Sequence, residues 1–144
     1  MNFMEIAISE AQKAAGEIPV GAVLVKDGKI IASAHNTREK DNDITSHAEV
    51  LVLRAGAKVF DNWRLDGCEL YVTLEPCPMC AWAILQSRVK SVYFGSYDVN
   101  YGALGSKIDL RKISAGQKLN VYGGILENEC DKLLDNFFKN LRGN

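Results

Sequence analysis

Residues 70–85 read LYVTLEPCPMCAWAIL, and this stretch decides the fold. Leu70 to Leu74 is apolar and β-branched, the composition of a buried strand. The run breaks at Glu75-Pro76-Cys77-Pro78. Proline cannot donate to a strand ladder, but its fixed φ suits the first turn of a helix, and Ala81 to Gln86 continue as helix-forming residues. A strand that passes straight into a helix is the building unit of an α/β domain.

Working outward, the same alternation recurs on both sides. From Phe3 to Ala15 the residues Phe3, Ala7, Ala11, Ala14 and Ala15 recur at helical spacing, and Gly16 supplies a stop. Ile18 to Val25 and Lys29 to Ala34 are apolar runs joined by Lys26-Asp27-Gly28-Lys29, and Asp-Gly between such runs signals a two-residue hairpin. Asn36 to Thr45 is a polar loop, after which Ala48, Leu51, Val52 and Ala55 mark one face of a second helix. Downstream, Ser91 to Gly95 forms a fourth strand and Val121 to Ile125 a fifth. From Glu127 the residues Leu133, Leu134, Phe137 and Phe138 make a closing helix, with the two phenylalanines expected in the core although their adjacency puts one off the buried stripe. The expected architecture is α/β: three layers, α/β/α, around a central mixed five-stranded sheet.

Composition bounds the rest. At 144 residues, 47% hydrophobic and 24% charged, the chain is expected to be one soluble domain spanning 1–144. No window reaches the roughly 18 apolar residues of a membrane span. The opening MNFMEIAISEAQK has early acids and no apolar core, unlike a signal peptide, so a cytoplasmic location is expected. There the four cysteines, at 68, 77, 80 and 130, should stay reduced, which points a close pair toward metal or redox chemistry. The net charge of −1 gives no global sign of nucleic-acid binding. Between Arg88 and Lys118, however, six cations face two anions, which is either a solvated surface or a basic face for RNA.

His47, at the entrance to the second helix, and Cys77 and Cys80, at the entrance to the next, make a three-ligand zinc set. Two thiolates and an imidazole balance the +2 charge, and three protein ligands leave a fourth position for water, the catalytic pattern. Helix N-termini favour the thiolate form. Glu49 follows His47 by two residues, so the pair has to lie at the helix start, with Thr45 or Ser46 capping; there Glu49 can take a proton from water and pass it on. Each residue has a plainer reading. Ser46-x-x-Glu49 also fits a capping box, Cys77-x-x-Cys80 a redox dithiol, and a fourth ligand from Cys68 would close a structural zinc site. Cys68 and Cys130 read as small buried apolar residues.

His47-Ala48-Glu49 followed by Pro76-Cys77-Pro78-Met79-Cys80 resembles the zinc-dependent nucleoside and base deaminases of the cytidine/deoxycytidylate deaminase superfamily, whose signature and mechanism are known. Within that superfamily the resemblance is to the bacterial tRNA-specific adenosine-34 deaminases and spans nearly the whole chain. It includes Ile18-Pro19-Val20-Gly21-Ala22-Val23, His35-Asn36, Asn62-Trp63-Arg64-Leu65, Leu70 through Cys77, Phe94-Gly95, Gly102-Ala103 with Gly105-Ser106, and Gly124-Ile125-Leu126-Glu127. The resemblance implies a cytidine-deaminase-like fold and a homodimer that converts the wobble adenosine of a tRNA anticodon loop to inosine, releasing ammonia. It further implies one Zn²⁺ per subunit on His47, Cys77 and Cys80, Glu49 as proton shuttle, and Asn36 hydrogen-bonded to the flipped nucleotide. Without the resemblance, Asn36 reads as a turn former.

Two features depart from the pattern. Trp82 stands where the family usually has glycine, and the segment Phe137 to Arg142 is less basic than the family's usual tail. Both bear on substrate rather than chemistry. The alternative they leave open is a free nucleobase deaminase, for guanine, cytosine or adenine, with the same metal and proton roles. The basic stretch and the closing helix, with Phe137, Phe138, Lys139 and Arg142, are where phosphate and stacking contacts are expected.

Overall fold

A computed structural model describes residues 2–142. The chain runs α1 (Phe3–Ala11), β1 (Gly21–Lys26), β2 (Lys29–His35), a single turn α2 (Arg38–Asp41), α3 (Ala48–Phe60), β3 (Cys68–Leu74), α4 (Pro78–Ser87), β4 (Ser91–Ser96), β5 (Asn120–Tyr122) and α5 (Glu127–Leu141). A 3-10 turn at Leu110–Ile113 interrupts the long β4–β5 connection.

One sheet has the order β2-β1-β3-β4-β5. β1 pairs antiparallel with β2 and β3, whereas β3, β4 and β5 run parallel, so the sheet is mixed as expected. The β1–β2 hairpin closes through Asp27 and Gly28, both at positive φ, the conformation its Asp-Gly predicts. α1 and α5 cover one face of the sheet, α3 and α4 the other. Each face has its own core. Leu24, Leu70, Val72, Val52 and Ile84 pack together under α3 and α4, while Met4, Ala7, Val23, Val25 and Cys130 pack under α1 and α5. Cys68 is buried in the first of these cores and Cys130 in the second, as expected of small apolar residues.

Four local expectations change. α1 stops at Ala11 rather than Ala15, because Lys13 and Ala14 donate to carbonyls three residues back and the chain leaves the helix in a tight turn. α1 also lies hard on β1, where a Cβ on Gly21 would sit 2.0 Å from the Ala7 carbonyl oxygen. The 36–45 loop holds the turn α2, which Glu17 caps by accepting from the Glu39 and Lys40 N–H groups. Neither Thr45 nor Ser46 caps α3; that role falls to Asn36, twelve residues upstream. β5 is three residues long, ended by Gly123 and by Gly124 at positive φ.

The C-terminal phenylalanines are not core. On α5 only Cys130 is buried, Phe137 is half-buried, Phe138 is exposed, and Leu141 is largely in solvent. The apolar side of the last helical turns overhangs a cleft instead. Among the described residues no helix is long and apolar enough to cross a membrane.

Candidate active site

The C-terminal end of β3 and the N-termini of α3 and α4 meet at one place, where ligands collect in open α/β sheets. His47 is the N-cap of α3, at φ −82° and ψ 148°, and its side chain makes no capping bond. The cap comes from Asn36, whose Oδ1 accepts from the Ala48 N–H at 2.8 Å while its Nδ2 donates to the Ile18 carbonyl at 3.1 Å. His47 is thereby released to point across at α4. Cys77 is the N-cap of α4 and Pro78 its first residue, which puts Cys80 one turn in.

The ligand atoms of His47, Cys77 and Cys80 lie within 4.8 Å of one another. His47 Nδ1 is 3.5 Å from Cys80 Sγ and 3.8 Å from Cys77 Sγ. A tetrahedral zinc with usual bond lengths needs roughly 3.6 Å between a nitrogen and a sulfur ligand. The donor set and its spacing therefore fit zinc. Among the described residues this is the one cluster of its kind. Cys68, the possible fourth ligand, is buried at the start of β3, the opposite end of the strand from Cys77.

Electrostatics sort the four groups. The hydrogen bond from Cys80 and then that from His47 hold the Cys77 thiol down to about 4, which favours its thiolate form. Cys80 is pushed up, because it keeps the proton it shares with Cys77 and is itself buried. A bound cation would take the place of that proton. His47 is raised, chiefly by its hydrogen bond to Cys77. Burial pushes Glu49 up to about 7. It is 4% exposed in the first turn of α3 and lines the cleft beside the three ligands. A carboxyl that titrates near neutrality can both accept and deliver a proton.

The cleft above this floor has a volume of about 620 Å³. One wall is formed by Glu17, Ile18 and Asn36, another by Asp98 and Tyr101, and the overhang by Phe137, Phe138 and Leu141. The structure thus brings all five expected site residues together. It does not bring in the basic stretch. Of residues 88–118 only Asp98 and Tyr101 line the cleft, Arg111 is paired with Asp109 at 2.7 Å, and the cation on the cleft wall is Arg38. Trp82 packs half-buried against the core and does not line the cleft. Glu75 went unread: it is 2% exposed and accepts from four donors in residues 98–106. Its signal was present, since an acid between an apolar strand and a buried turn needs partners.

Residues 1–96 match the family model described as the cytidine and deoxycytidylate deaminase zinc-binding region. The chain is 48% identical over 143 residues to the tRNA-specific adenosine deaminase of Bacillus subtilis (strain 168), covering 97% of this chain and 89% of that one. It is similar, with TM-score 0.85 and 42% identity, to a structure solved in work on A-to-I editing by tRNA:A34 deaminases at the wobble position, covering 92% of this chain and 98% of that one. A guanine deaminase from Bacillus subtilis aligns with TM-score 0.64 and 33% identity, over 82% of this chain and 98% of that one. The chain belongs to the cytidine and deoxycytidylate deaminase family.

Proposed function

We propose, with that membership as premise, that the chain is a zinc-dependent hydrolase that deaminates the wobble adenosine, position 34, of tRNA to inosine. The observation that carries this reading is a buried Glu49 beside the His47, Cys77 and Cys80 cluster, at the floor of a cleft with room for one extruded nucleotide. His47, Cys77 and Cys80 would hold one Zn²⁺ per subunit. When bound, zinc lowers the pKa of water and so supplies a nucleophile at neutral pH.

The chain's own residues manage the protons. Glu49 takes a proton from the attacking water and gives it to N1 of adenine, leaving a tetrahedral C6 that bears hydroxyl and amino groups. It then moves the hydroxyl proton to the amino group. Ammonia departs as C6 becomes the carbonyl of inosine, so one water is consumed for each ammonia released. Asn36 serves two ends: its oxygen caps α3 and so aims His47 and Glu49, and its second amide hydrogen remains for the nucleotide.

The target base has to leave its stack to reach Glu49, and an anticodon loop offers unpaired bases. A homodimer is part of this reading, carried by the resemblance. The shallow apolar groove lined by Val50, Ala57, Trp63 and Ala83 is where this reading would put the second copy. Cys77 and Cys80 have to stay reduced to bind metal, which fits the cytoplasm. Sedimentation at micromolar concentration tests the dimer, and a monomer alone would refute it.

The deciding experiment incubates the zinc-loaded protein with an anticodon stem-loop bearing adenosine at the wobble position, beside free adenine, guanine and cytosine. Nucleosides are then resolved by mass. Inosine in the stem-loop with no base consumed is expected. A silent stem-loop with turnover of a free base would transfer the same residues to the nucleobase alternative, which draws on the lesser likeness to guanine deaminase.

A further inference from the structure

Glu75 lies outside the metal and proton machinery, yet it is among the most buried charged-type residues of the chain. Its Oε1 accepts from the Asp98 N–H at 3.1 Å and from the Ser106 hydroxyl. Its Oε2 accepts from the Leu104 N–H at 3.2 Å and the Ser106 N–H at 3.0 Å. All four donors belong to one segment, 98–106, which has no helix and no strand of its own. The next residue adds a fifth tie, because the Pro76 carbonyl accepts from the Ala103 N–H at 2.9 Å. Gly102 completes the wrap, since a Cβ there would meet the Glu75 carboxyl at 2.5 Å. A nine-residue surface loop is thus tied to a single buried side chain at the end of β3.

What that loop presents is an aromatic ring. The Asp98 side chain accepts from the Asn100 and Tyr101 N–H groups, and the Asp98 carbonyl from the Gly102 N–H, so the backbone on both sides of Tyr101 is fixed. Tyr101 lines the cleft and is 69% exposed. A large aromatic held in water on a fixed backbone, at the mouth of a cleft that admits a nucleotide, suits base stacking. The cost of ordering the platform has already been met within the fold, so little affinity is lost on binding.

We propose that Tyr101 is a stacking platform for a nucleotide flanking the target adenosine, and that Glu75 is the positioning residue that holds it at the cleft mouth. This rests on the tRNA reading above. The test measures stem-loop Kd in the Glu49→Ala background and KM and kcat in the active background, with zinc content and thermal melting alongside. Tyr101→Ala is expected to raise KM and Kd about tenfold, with kcat and zinc unchanged, and Tyr101→Phe to restore both. Glu75→Gln is expected to raise KM and Kd comparably. The double variant Tyr101→Ala with Glu75→Gln should be no worse than the singles, because the two act through one ring. Ser106→Ala removes the hydroxyl donor and gives a milder version should Glu75→Gln fail to fold.

Unchanged stem-loop binding in Tyr101→Ala would overturn the platform. Additive losses, or Glu75 and Ser106 variants that lose zinc or kcat instead of affinity, would overturn the positioning role. If the unmodified enzyme neither binds nor deaminates the stem-loop, the tRNA reading itself has failed, an outcome separate from these.

Discussion

The floor of the cleft and its rim are built in opposite ways. At the floor, His47, Glu49, Cys77 and Cys80 come from the first turns of two helices docked on one face of a five-stranded sheet, and Glu49 and Cys80 are almost without solvent contact. At the rim, Tyr101 and Leu141 are each 69% exposed, one on an irregular loop and one at the end of a helix. Reaction geometry tolerates little displacement, so it is placed where backbone and core fix it. Binding surfaces are commonly carried by loops and exposed side chains on a rigid scaffold, and the proposed recognition sits on such a rim. Substitutions at the floor should therefore act on metal content and kcat, and those at the rim on KM.

The severest test removes a metal ligand. Cys80→Ala should lose bound zinc, read by elemental analysis, and reduce turnover by at least about four orders of magnitude. Retained zinc with normal turnover would mean the cluster is not the metal site. Glu49→Gln keeps the shape and removes the carboxyl that this reading makes the proton carrier. It should lower kcat by about 10²- to 10⁴-fold with zinc intact, which separates a shuttle from the capping-box role. Asn36→Ala tests how the floor is held: loss of the α3 cap should cost about 1 kcal/mol of stability in denaturant titration, with a drop in kcat as His47 and Glu49 lose their aim. The smallest effect belongs to the rim. Phe138→Ala should raise the stem-loop KM severalfold, by the loss of part of a stacking contact, and leave kcat unchanged. A fall in kcat at constant KM would erase the distinction between floor and rim.

Legibility follows the same division. The floor could be read in the sequence because its determinants are local. Ligand residue types, a two-residue offset at a helix start and a proline at the first helical position are fixed by a few bonds of chain. The hairpin was legible for the same reason, since Asp27-Gly28 stands between two short apolar runs and takes positive φ at both residues. The rim was not. Phe137 and Phe138 have helical spacing whether their side of α5 meets the sheet or an open cleft. The basic run from Arg88 to Lys118 is plain in the sequence, yet folding leaves only Asp98 and Tyr101 of it at the cleft.

By itself, then, the sequence determined the strand-to-helix unit around Leu70–Leu85, the hairpin, and the group His47, Glu49, Cys77 and Cys80 that the fold brings to one cleft. Only the tertiary structure decided that Asn36 caps α3, that Glu75 anchors residues 98–106, and which aromatics reach the cleft. The physical reason is range. Backbone propensity and turn chemistry act over a few residues, whereas the partner of a buried polar group twelve to thirty-one positions away is set by the order of strands and by which face each helix covers.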